Sequence, residues 1–368
     1  LIGSGTLAKT TADEVFFNAA AGHTGGSTVS GGTLRLGAAA TLPASGALQI
    51  NTGGTLSLGD TQQTVGNFTL AGGSLVQGHL SASSFALQAG SIAANLVGAG
   101  ALTKLSAGEV LLSGSNGHTG GSTVQAGTLR LGSATALPAG GALTLSDGTL
   151  ALGGFDVTVG TFTLDGGVLS GGTLRPAQAD LHAGSVLAAL AGSGAVHKSG
   201  PGTVTLGGAS NYTGTTLVDG GTLQLAGGSL PTTGTVEVAT GGVLDLGGAS
   251  QVLGTLVLAG GTVGGGTLLP TLADLRAGTL TADLTGSGAL RKTTADEVLF
   301  NAVASHGGGS TVSGGTLRLG PAATLPATGA LQVDTGATLS LGDTLQTVGA
   351  FTLAGGSLVQ GHLSASSF

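Results

Sequence analysis

The chain repeats itself about every 94 residues. Gly3-Ser4-Gly5-Thr6-Leu7 returns as Gly98-Ala99-Gly100-Ala101-Leu102, as Gly192-Ser193-Gly194-Ala195-Val196 and as Gly286-Ser287-Gly288-Ala289-Leu290. Behind each return comes the same cadence of short Leu-x-Leu runs separated by glycines. Such a sequence suits an architecture of stacked units, because every unit must bury the same apolar face against a neighbour. The expected division is 1–95, 96–189, 190–283 and a shortened 284–368, all within one array. The fourth unit resembles the first far more than the second or third: Lys292 to Val298 repeats Lys9 to Val15, and Phe351 to Phe368 repeats Phe68 to Phe85 almost unchanged. The order A-B-C-A implies a higher repeat of about 283 residues, which duplication of whole units explains. Leu1 and Phe368 both fall inside the pattern, so the chain is expected to be a window on a longer array.

Composition removes several classes. With 75 glycines but no Gly-X-Y period and only 8 prolines, collagen is excluded. Hydrophobic residues at 40% against 7% charged are the reverse of a disordered chain. The 10 Lys and Arg are scattered, so no basic stripe exists for nucleic acid. Cysteine is absent, which removes disulfides and thiolate metal sites. Apolar stretches such as Leu190 to Val196 are broken by Gly192, Ser193 and Gly194, so no segment reads as a membrane-spanning helix, and no membrane contact by this segment is expected.

Within one unit the apolar residues pair at spacing two, as in Leu34 and Leu36, Leu48 and Ile50, Leu56 and Leu58, and Phe68 and Leu70. That spacing puts both side chains on one face of a strand. Glycine-rich segments between the pairs supply turns, so the chain reads as all-β. A sandwich gives successive strands different environments, whereas a β-solenoid stacks like on like. The long repeat therefore selects the solenoid. Three short strands with turns use roughly 19–24 residues per coil, and coils about 4.8 Å apart would make an elongated rod of roughly 75–95 Å. Helix has no support, since no window keeps a 3.6 period.

The run Gly192 to Leu206, continued by Asn211-Tyr212-Thr213-Gly214-Thr215-Thr216 to Gly221-Thr222-Leu223, resembles the autotransporter-associated β-strand repeat of passenger domains in bacterial type V secretion. Gly98 to Gly132 carries the same pattern, and it recurs in all four units. The resemblance implies a right-handed parallel β-helix that is exported across the outer membrane and exposed at the cell surface. The lack of cysteine fits that route. The resemblance assigns no ligand to any residue.

A residue that forms part of a site either persists from copy to copy or stands alone among polar neighbours. Asp13 and Glu14 recur as Asp296 and Glu297, but the second and third units read Gly108-Glu109 and Gly202-Thr203. Adjacent strand residues also face opposite sides, so this pair reads as a solvated strand end. His23, His118 and His306 share one place in their units, which Tyr212 fills in the third. Copies one unit apart lie roughly 20 Å from each other, too far to share an ion, so the column reads as a turn residue covering a coil. His79 and His362 fail the same test, and His182 and His197 show no evident carboxylate partner in sequence, although coil stacking could supply one. Pro43, Pro138, Pro231 and Pro326 mark a corner. Gly153-Gly154-Phe155-Asp156 and Asp165-Gly166-Gly167 lack the calcium nonapeptide spacing, and Gly264-Gly265-Gly266 opens no helix that could hold a phosphate. The expectation is therefore no catalytic, metal or cofactor-binding residue and no cofactor.

Three functions are open to such an array. The first is a non-catalytic structural stalk or filament of a secreted bacterial surface adhesin. The second is a glycan- or host-protein-binding module along one face. The third is a polysaccharide-degrading β-helix enzyme, against which the lack of recurring catalytic groups speaks. The partners expected are further copies, by head-to-tail or lateral self-association into fibres, and a surface glycan or host protein.

Overall fold

The computed structural model describes residues 1–368 and is built from strands and turns, with no helix. The chain forms two compact units, Leu1–Ala177 and Gln178–Phe368. Each is a parallel β-solenoid in which a strand pairs with its counterpart one coil later. In the first unit Leu7–Lys9 pairs with Ser27–Val29, that strand with Leu48–Asn51, and that in turn with the long strand Gln62–Val76, all in parallel. In the second, Ala195–Lys198 pairs with Thr216–Val218 and then with Thr235–Ala239.

Alternation explains why these strands form and where they face. In Ala101–Lys104 and Ser122–Val124 every second residue is buried, and register aligns those residues from coil to coil. The result is a set of interior columns. One runs Val29, Ile50, Leu70 and Leu87, and another runs Leu34, Leu56 and Leu75, all 2% exposed or less. Burying a leucine or isoleucine contributes roughly 1.5–3 kcal/mol relative to leaving it exposed, so the columns carry the stability of the stack.

Coil length departs from the expected 19–24 residues. Hydrogen bonds between neighbouring coils join residues 21 apart at Arg35 and Glu14, but only 17 apart at Ser84 and Asn67. In the short coils the corner loop is dropped and the chain bends without leaving the sheet, giving the strands Gln62–Val76 and His79–Ile92 with register shifts around Ala89. Gly90 makes the bend. Its φ is +113°, and a Cβ there would come within 2.2 Å of the Gly73 carbonyl oxygen.

The proline corner is where the sequence places it. The amides of Gly46, Gly141 and Gly329 donate to the carbonyls of Pro43, Pro138 and Pro326, closing equivalent turns in three of the repeats.

Candidate functional site

Polar side chains enter the interior at fixed places in the repeat. The first place belongs to a lysine. Lys9 is the register partner of Val29, Lys104 of Leu87 and Val124, Lys198 of Leu181 and Val218, and Lys292 of Leu275 and Val312. Lysine thus occupies a column otherwise filled by Val, Ile and Leu, and Lys104, Lys198 and Lys292 have no exposed surface. The apolar stem lies in the column while the ammonium reaches a corner. There Lys198 Nζ donates to the carbonyls of Ser199 (2.8 Å), Gly200 (3.0 Å) and Gly220 (2.7 Å). Lys104 Nζ donates to those of Ser106 and Ala126, and Lys292 Nζ to those of Thr294 and Gly314. Burial pushes the Lys104 ammonium below its ordinary value, and does the same at Lys198 and Lys292 against the opposing pull of nearby aspartates. Each ammonium ties its own corner to the corner of the next coil.

The second place is the histidine column, which lies inside the coils rather than covering them from a turn. His23, His118 and His306 are 4%, 0% and 4% exposed, and Tyr212 is 2%. The cause sits four residues on. Ser122 is the register partner of Leu102 and Leu143 in a column of bulky residues, and a serine alone would leave a void. The imidazole of His118 folds in to fill it, with Nε2 2.9 Å from Ser122 Oγ and its ring beside Phe85 at 6.0 Å between centroids. His23 meets Ser27 at 3.3 Å and His306 meets Ser310 at 3.1 Å. In the third repeat the pair is exchanged as a unit, Tyr212 Oη lying 2.6 Å from Thr216 Oγ1. The Nδ1 atoms of His23, His118 and His306 are buried without a hydrogen-bond partner. Burial holds the His118 imidazole down to about 4 and pushes Tyr212 up to about 12.

Outside, Glu14 is not a free strand end. It accepts from Arg35 Nε at 2.9 Å, as Glu109 does from Arg130 at 3.0 Å and Glu297 from Arg318 at 2.8 Å. Asp13 and Asp296 remain exposed beside them. Coil stacking also supplies His197 with carboxylates that its sequence neighbourhood lacks. Asp219 Oδ2 lies 2.9 Å from Nε2, and Asp180 Oδ1 lies 3.8 Å from Nδ1. These oxygens sit at opposite edges of the ring, so they do not converge on one ion, and no group of three or more His, Asp or Glu side chains is placed to hold a metal. His79 and His362 are exposed. Gly265 and Gly266 join two strands by a turn.

Buried amides complete the interior. Asn116 accepts from the Leu96 amide and donates to the Ala136 carbonyl, and Gln63 does the same for Leu42 and Ala40. Close to Asn116 the surface dips into a hollow of about 400 Å³ lined by Ser115, Thr135, Asp156 and Thr158. Across all these places, the buried polar groups meet main-chain atoms or one another within one or two coils. They form no constellation of nucleophile, base and oxyanion donors.

The family model for the passenger-associated transport repeat matches residues 14–36, 102–131, 196–225 and 298–319. Each segment holds one filled pair of the interior column: His23 with Ser27, His118 with Ser122, Tyr212 with Thr216, or His306 with Ser310. The chain is also similar to the Adhesin BmaC autotransporter of Brucella suis biovar 1 (strain 1330), with 36% identity over 144 residues. That alignment covers 37% of this chain and 4% of the relative, so the chain corresponds to a small part of that protein's length. No solved structure matches. Each of the four repeats thus carries a segment that matches the passenger-associated transport repeat and is built round the same interior pair.

Proposed function

We propose that the chain is a non-catalytic structural stalk or filament region of a secreted bacterial adhesin, displayed at the cell surface. One observation carries this reading: the recurring interior polar groups are engaged in building the stack, lysine and buried amide by bridging coil to coil and histidine by filling the coil it belongs to. A chain whose recurring groups all serve stacking can be lengthened by whole units without loss of a site. Likeness to part of an adhesin autotransporter supports the surface location. Electron microscopy of the purified chain over a range of concentrations tests it. Narrow single particles of constant length are the outcome expected of a stalk, and end-to-end growth makes the chain a fibre subunit. Compact globules overturn both.

A second reading, binding of a surface glycan or host protein along one face, draws on the hollow lined by Ser115, Thr135 and Thr158, whose hydroxyls suit a sugar. Binding on a glycan array that is lost on Thr135→Trp, a change that fills the hollow, would support it. An array without signal removes it for glycans.

A further inference from the structure

The unpartnered Nδ1 atoms of the histidine column have a consequence beyond packing. In His23 the tautomer is set by geometry, because Nε2 lies 2.9 Å from the Gly26 carbonyl and must carry the hydrogen that this oxygen accepts. Nδ1 is then a bare lone pair, sealed from water. The Nδ1 atoms of His118 and His306 are sealed in the same way, and a second proton on either ring would leave a charged N–H there with no acceptor, a costly state in an apolar interior. The surroundings do not soften that cost. The strands packed on His118 carry Lys104 inward with His79 turned to solvent. The strands on His306 carry Lys292 inward and Asp274, Arg276, Arg291 and Asp334 outward, with Arg276 paired to Asp274. Each inward lysine is itself a cation, with its Nζ held on carbonyls at the far end of its strand. Tyr212, in the same place, has no group that gains a proton in acid.

We infer that the second and fourth repeats contain an acid-sensitive latch, in which protonation of His118 or His306 opens the coil that the ring fills, while the Tyr212 coil stays closed. At His118 the way out is short. A hollow of about 270 Å³ lined by Gly117, Thr119, Pro138, Gly140 and Gly141 lies over the ring, so a shift of one loop lets water reach Nδ1. The device acts locally, because coils contact chiefly their neighbours and can open in segments. Acidification would then soften the array at the His118 and His306 coils and leave the third repeat as a firm segment.

Hydrogen exchange of the full chain, resolved by peptide at about pH 5 and about pH 7.5 and corrected for intrinsic rates, tests this. With the open-state imidazole near 6.5 and the closed one near 4, the opening equilibrium at His118 should rise about 30-fold at the lower pH. The peptide holding Tyr212 should be unchanged. Two exchanges of existing pairs then decide the cause. His118→Tyr with Ser122→Thr should abolish the acid response of its own coil, and Tyr212→His with Thr216→Ser should install one in the third repeat. A loss of protection equal in all four repeats, or a response that ignores both exchanges, overturns the proposal.

Discussion

Lys104 and Val124 are register partners on successive coils, and both side chains enter the same interior column. A cation and a valine are interchangeable there because the lysine stem supplies the apolar bulk and its head escapes to the corner. Lys104→Met keeps the stem and removes the head, leaving the Ser106 and Ala126 carbonyls without their donor. The expected loss is about 1–3 kcal/mol, the usual cost of leaving buried polar groups unpaired, read as a lower urea midpoint. An unchanged midpoint would mean that water replaces the ammonium at no cost.

Tyr212 gives a pH prediction with a definite sign. Its folded value is raised to about 12 from 10.0 because burial disfavours the phenolate, with Thr216 opposing weakly. A group raised in the folded state stabilises fully below its unfolded value, and that contribution falls as pH rises from about 10 to about 12. Near-ultraviolet absorbance should show the single tyrosine ionising about two units later in the native chain than in urea. A native midpoint near 10 would place the hydroxyl in solvent.

The surface ion pairs should matter little. Glu109→Gln removes the partner of Arg130 from a half-exposed site, and less than about 1 kcal/mol is expected by thermal unfolding. Arg35→Ala should cost more than Glu14→Gln, since the Arg35 guanidinium also lies over the Phe16 ring at 4.6 Å, a contact of about 0.5–1 kcal/mol at an exposed position.

Glycines differ according to the backbone they serve. Gly90→Ala forces a side chain into a positive φ and onto the Gly73 carbonyl, so a loss above about 1 kcal/mol is expected. Gly5→Ala meets nothing within 4 Å at an ordinary φ and should stay within about 0.5 kcal/mol of the parent. Equal effects of the two would mean that the short coil can relax around a side chain.

The stacking of like coils was legible because Leu34, Leu56 and their kind alternate and recur, and periodicity survives without knowledge of register. The lysine column was not, since Leu102-Thr103-Lys104 also reads as a strand running out into water. The available signal was recurrence: Lys9, Lys104, Lys198 and Lys292 are four of the chain's 10 basic residues at one place in the repeat. The histidine column was visible as a column, but its depth was hidden. Depth follows from Ser122 standing where Leu102 and Leu143 stand in adjacent coils, which only register reveals. The Glu14–Arg35 pair and the carboxylates around His197 were hidden for the same reason, because partners 17 to 22 residues apart become neighbours only once coil length is known.

The bonded partners that join one coil to the next lie only 17 to 23 residues away along the chain. Under tension such a chain has no single breaking point. Pulled from one end, it would yield by unwinding one turn after another, each releasing about 60–70 Å of slack while the turns behind it hold. The load at which it gives way would then be set by its weakest turn and not by its length, so an array of four repeats and one of forty would begin to extend at similar force.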